Sequence, residues 1–451
     1  MLTTPLAALR TLCLVAAAAA QASPAAGQAT GLTAEALIGD SVSSPDDRRY
    51  NDVTEAIRRF QNNDQLSART FLERAVQKNP KLPPVGVLIA KMQLLSGNGQ
   101  AVRSALEQAV QDDSANDPEP FLLLAEQALG GGRTIEADAL FDKAVALIEA
   151  FDANAKRKRQ FQIRAYRGRA VVADRRGNWD QMESDLRSWL EQDPDSAEAH
   201  AQLGQVLFRL ERPRDGYEAF VEAKRLNQDL PNPFVSAALM YSRIGQQREA
   251  MAAFEKALKQ DADDATAQIA YAQALVKAGE LDKSAQVLGD ARRSGEQAAT
   301  VLLLSGVVER MRGDTTAAGK WLSAAMVQAP SNRDVLNQLS LVMLDTGEAE
   351  DRARALQFAQ MNQRLNQSNA DVNITLAWVL FQNSRGREAT QALRQGLQAG
   401  ALSPDGSFLL AKMLLERDDR DNARRLLESA LGNDAGIFVN RAEAEKLLAS
   451  L

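Results

Sequence analysis

The chain has 451 residues, 45% of them hydrophobic and 25% charged, with only 27 Gly and 14 Pro; that balance describes a folded, helix-leaning protein and excludes a disordered or collagen-like one. Its 53 basic and 59 acidic residues leave a net charge of −6, so there is no global basic field to hold nucleic acid. One Cys and one His confine any zinc site, Cys–His pair or Ser–His–Asp triad to Cys13 and His200, which removes most hydrolytic chemistry.

Residues 1–22 read as a signal peptide: Arg10 precedes Thr11-Leu12-Cys13-Leu14-Val15 and a run of alanines, and Ala20-Gln21-Ala22 suits peptidase cleavage. The apolar run is about half the roughly twenty residues that a membrane span needs. The expectation is therefore an exported, periplasmic or envelope-associated protein with no integral membrane span in the mature chain; a retained anchor is the alternative. Cleavage near Ala22 would remove the only Cys, which suits an oxidising compartment. Residues 23–48, rich in Ala, Ser, Gly and Thr with Pro24 and Pro45, read as a flexible leader.

From there a 34-residue period takes over. Gly204, Ala238, Ala272, Gly306 and Ser340 place a small residue at one phase, and Gly245, Gly279, Gly313 and Gly347 place a glycine at another. Large apolar residues (Phe220, Phe254, Leu288, Leu322) and alanines (Ala223, Ala257, Ala291, Ala325) recur later in each unit, and Pro80, Pro194 and Pro330 close several of them. Small residues let two helices approach, a glycine permits the positive-φ turn between them, and proline stops the second helix, so each unit predicts a helix–turn–helix.

These residues resemble the tetratricopeptide repeat (TPR) family. Its pattern is matched best by His200, Leu203-Gly204, Phe220 and Ala223, and in the next unit by Phe234, Ala238, Tyr241, Gly245, Ala250, Phe254 and Ala257. The resemblance implies an all-α fold, a right-handed α-solenoid of about eleven TPR-like repeats over residues 49–437, with a capping helix in 438–451. Three departures stand out: a third unit about eleven residues too long, about three extra residues between Gly347 and Arg354, and Ser384 where the turn glycine belongs.

No motif for catalysis, a cofactor or a metal is legible. Asp112-Asp113 and Asp261-Ala262-Asp263-Asp264 lack the spacing of a calcium loop, and Gly130-Gly131-Gly132-Arg133-Thr134 lacks the lysine ending of a phosphate loop. His200 occupies the repeat's first aromatic position and reads as structural.

Binding features are better. Residues 156–176 hold nine basic residues against the single Asp174. The groove positions that the resemblance implies include Arg164, Arg167 and Arg175 there, which either form an anion-binding segment or a solvated face paired with neighbouring acids. The same positions further on hold Leu303, Val307, Leu341, Leu344, Ile374, Trp378, Phe381 and Phe408. These form a partner site if exposed, or pack between successive first helices if the solenoid is tight. Val53, Ile57, Val87 and Lys91 do not reproduce the family's carboxylate clamp. The function expected is a non-enzymatic scaffold that binds protein partners in the cell envelope; a glycan-associated component that binds an acidic polysaccharide is the alternative.

Overall fold

The computed structural model describes residues 32–38, 50–111, 116–293, 298–433 and 436–451. The expected signal peptide, most of the expected leader and Asp112-Asp113 lie outside them. Among the described residues there are 24 helices and no strand, an all-α solenoid of helical hairpins. No described helix is long and apolar enough to cross a membrane.

The described chain separates between Leu230 and Pro231 into two compact units. The N-terminal unit holds a short helix, Ala34–Ile38, and five hairpins. These pair Asn51–Gln61 with Gln65–Lys78, Val85–Leu95 with Gly99–Gln111, Glu119–Gly130 with Thr134–Ala150, Ala155–Arg176 with Trp179–Gln192, and Ala197–Arg209 with Pro213–Leu226. The C-terminal unit holds six more, with first helices Pro233–Arg243, Ala265–Lys277, Ala299–Met311, Arg333–Asp345, Ala370–Gln382 and Pro404–Leu415, and ends in the single helix Arg441–Ala449. Within each unit, neighbouring hairpins stack so that each buries what its neighbour exposes.

Local chemistry explains the elements. Asp64, Asn178, Ser196, Asp264, Asp314, Asn369, Ser403 and Asp419 each accept a backbone N–H of the helix they precede, which satisfies a donor that helix geometry leaves unpaired. The repeating turn glycines adopt the left-handed conformation, with φ of 80° at Gly245, 78° at Gly279, 84° at Gly313 and 76° at Gly347. Ser384 takes the same conformation without being glycine, at φ 58°. The small residues mark close approach: a Cβ on Gly306 would lie 2.5 Å from Leu322 Cγ, and one on Gly204 2.5 Å from a ring carbon of Phe220. Phe254, Leu288 and Leu322, at the repeated large apolar position, are fully buried. Each contributes about 1.5–3 kcal/mol by leaving water.

Two irregularities have structural counterparts. The surplus of the third unit lengthens two helices, Thr134–Ala150 to 17 residues and Ala155–Arg176 to 22. The expected leader is interrupted at Ala34–Ile38, where Leu37 and Ile38 are buried against the first hairpins. That is a correction to a uniformly flexible 23–48, and its cause is the adjacent aliphatic pair.

Candidate functional site

In the N-terminal unit the basic stretch is engaged by acids and carbonyls. Arg164 forks onto Glu126 with Nε–Oε1 and Nη2–Oε2 both at 2.8 Å, Arg167 donates to Glu198 at 2.9 Å, and Arg175 donates to the Leu129 carbonyl at 2.9 Å. Arg169 reaches Asp142 and Asp185, each at 3.2 Å, and Arg176 pairs with Asp138. The three candidate arginines therefore each have a local partner, although Arg167 keeps 56% of its side chain exposed.

Sequence reasoning missed the centre of this network. Arg157 is buried, donates to Asp117 at 3.1 Å and to Glu119 at 3.0 Å, and lies over the rings of Phe151 and Phe161. Lys91 reaches Glu119 from the second hairpin at 3.0 Å. Burial alone would push the Glu119 carboxyl up, but Lys91, Arg164 and Arg157 together hold it below the ordinary glutamate range. Asp117 goes the other way: burial raises it, and Arg157 offsets that only in part. Beside this network a cavity of about 280 Å³ is lined by Lys91, Glu119, Arg157, Phe161, Arg164 and, from the short N-terminal helix, Ile38.

In the C-terminal unit the apolar groove candidates are mostly packed. Ile374 is fully buried, and Val307, Leu341, Trp378 and Phe408 are buried, while Leu303, Leu344 and Phe381 are half-buried. First helices lie side by side here, so these side chains fill the space between them. Trp378 stacks on Phe381 at 6.0 Å between ring centroids, with Lys412 Nζ 5.0 Å from the Trp378 ring.

Residues 437–440 lie along the same side. Phe438 packs edge-on against Phe408 at 6.5 Å, Ile437 packs against the core formed by residues 235–308, and the Val439 and Asn440 amides donate to Asp405 at 3.1 and 3.0 Å. Arg310, from a first helix three hairpins upstream, donates to Asn440 Oδ1 at 3.2 Å. Asp405, Phe408, Lys412 and Arg310 all occupy the repeat positions expected to face the groove.

His200 pins the connection between repeats, with Nε2 2.9 Å from the Pro194 carbonyl oxygen. The equivalent residues two and five units on repeat the arrangement: Gln268 donates to Ala262 O at 2.7 Å, and Asn373 to Gln367 O at 2.8 Å. The sequence signal was present, a donor side chain at one phase of the period, but the three residue types disguise it. The acidic run at 261–264 serves the helix start, Asp264 accepting from Ala267 N–H at 3.0 Å. Gly130-Gly131-Gly132 forms the turn of the third hairpin, with Gly132 at φ 74°.

Stacked helical hairpins with small-residue crossings and glycine turns define a helical-repeat interaction fold. Tetratricopeptide repeat models match residues 245–304 and 374–436, one in each half of the C-terminal unit. The chain carries tetratricopeptide repeats in these two segments. No curated protein matches it. Among solved structures it is similar to pilF of Pseudomonas aeruginosa at 21% identity, covering 48% of this chain and 96% of that one with a TM-score of 0.35. It is also similar to YrrB, described as a TPR protein with an unusual peptide-binding site, at 19% identity over 44% of this chain and 98% of that one, TM-score 0.34. Yeast Tom70 shares 14% identity over 90% of this chain and 96% of its own, TM-score 0.39.

Proposed function

We propose that the chain is a non-enzymatic scaffold that holds protein partners on the first-helix sides of its two hairpin units. The family supports an interaction role, and one observation carries the choice of side. In each unit a segment outside the hairpins rests on first helices: Leu37 and Ile38 in the N-terminal unit, and Ile437 to Asn440 in the C-terminal unit. A surface that takes up non-repeat chain is chemically suited to take up a partner's chain, because it supplies apolar seats beside side-chain acceptors, as Asp405 does for the Val439 and Asn440 amides. Arg164, Arg167 and Arg175 border this side in the first unit, and the half-buried Leu303, Leu344 and Phe381 border it in the second.

The scaffold works in the bacterial envelope, on the strength of Arg10, the apolar run after it and Ala20-Gln21-Ala22. Co-purification of the tagged full chain from the envelope fraction tests both parts. A discrete partner protein, depleted when Arg167 becomes Glu or Phe381 becomes Ala, is the expected result. Retention in the cytoplasm with an intact Met1 would refute the location, and catalytic turnover lost with either variant would refute the scaffold.

A further inference from the structure

The helix Ala34–Ile38 belongs to no repeat, yet it is seated on the first helices of the first two hairpins, Asn51–Gln61 and Val85–Leu95. Leu37 is 0% exposed and Ile38 4%, whereas Glu35 and Ala36 face solvent. The receiving surface is Val53, Ile57, Leu88 and Met92, and two of these, Val53 and Ile57, occupy expected groove positions. Thr33 caps the turn, its Oγ1 accepting the Ala36 N–H at 3.2 Å. Five residues are far too few to hold a helix in water unaided. The conformation is therefore supplied by the surface, which selects one helical turn bearing two adjacent aliphatic side chains. Ile38 does not fill the site: the 280 Å³ cavity continues past it to Lys91, Arg157 and Arg164.

We propose that this groove is a binding site for a short amphipathic helix of a partner protein, anchored by an adjacent aliphatic pair, and that residues 32–38 occupy it in cis until such a helix displaces them. The inference rests on the reading of the first-helix sides as partner-binding surfaces, and it adds the class of ligand and the element that competes with it. Eleven residues, 39–49, join the segment to the first hairpin region. The segment therefore competes for the groove intramolecularly, and a partner's helix has to outcompete it.

The test uses a fluorescein-labelled peptide of residues 30–42 and full-length protein, read by anisotropy. The Leu37→Asp, Ile38→Asp chain, with its own segment disabled, binds the peptide saturably, and the wild type binds it at least about tenfold more weakly. A peptide carrying the same two aspartates binds neither. Absence of saturable binding to the double variant, when its circular dichroism and melting match the wild type, overturns the proposal, as does equal binding by both chains. If the charges unfold the first hairpins, Leu37→Ala with Ile38→Ala must give the same ordering. Concentration-dependent dimerisation of the wild type that the double variant lacks would also overturn it, in favour of exchange between copies. A partner captured at Arg167 or Phe381 together with no peptide binding removes this site alone and leaves the scaffold standing.

Discussion

Asn440 is held by Asp405 through two hydrogen bonds to the same carboxylate oxygen, from the backbone amide at 3.0 Å and from the side-chain amide at 2.6 Å. With the Val439 amide on the other oxygen, one carboxylate fixes the start of the closing helix Arg441–Ala449 against the last hairpin. Asp405→Ala leaves these donors without their acceptor, at a cost of about 1–3 kcal/mol. Hydrogen exchange at Val439 and Asn440 is expected to accelerate by at least about tenfold, while amides of the helix Ala265–Lys277 keep their protection.

Arg157 answers two buried acids at once. Replacing it with Met keeps the packing on Phe151 and Phe161 but leaves Asp117 and Glu119 without their shared partner. A loss of about 3–5 kcal/mol is expected in urea unfolding, whereas Arg225→Met, which removes only an exposed pair with Glu222 across a single helical turn, leaves the midpoint nearly unchanged.

Glu119 also sets an acid limb. Its folded carboxyl gives up its proton at lower pH than the unfolded one, so between those values the unfolded chain holds more protons and stability rises with pH. The contribution is therefore complete above the ordinary glutamate range and is lost as pH falls below it. Asp117, raised by burial, has the opposite slope in a window above the ordinary aspartate value. The difference between wild type and Glu119→Gln isolates the first effect: the gap in melting temperature is expected to narrow as pH falls, and a gap constant from neutral to acid pH would contradict it.

Turn chemistry gives a paired prediction. Gly279 sits at φ 78° and Ser384 at φ 58°, equivalent places in two hairpins. Gly279→Ala should cost about 1 kcal/mol, because a Cβ is disfavoured in the left-handed region, and Ser384→Gly should recover a comparable amount. Thermal melts of the two variants are expected to move in opposite directions.

The sequence made the hairpins legible because their determinants recur at fixed spacing: the glycine turns, the small crossing residues such as Gly306 and Ala250, and the large residues they meet. Ser384 kept its turn because the neighbouring hairpin geometry imposes the conformation, whatever residue stands there. Side-chain engagement was less legible. Nine basic residues in one stretch look like a site, yet their partners come from other helices, Glu126, Glu198 and Asp138 among them, and no spacing along the chain announces that. Arg157 was hidden for the same reason, since Asp117 and Glu119 reach it from outside its helix. The burial of Ile374 and Trp378 depends on how closely first helices approach, which is set by the sum of many small contacts. His200, Gln268 and Asn373 show the converse: one structural task met by three side chains, recognisable only once the carbonyl each one reaches is seen.

Photo-crosslinking in cells tests most directly whether partners bind the first-helix sides. A crosslinking residue replaces Arg167 or Phe381 on first helices, and separately Ile135 or Val327, which stand on second helices and are 80% and 78% exposed. Discrete protein adducts from Arg167 or Phe381, with none from Ile135 or Val327, are the expected result. Adducts only from Ile135 or Val327, in protein that is folded and normally located, would contradict the account.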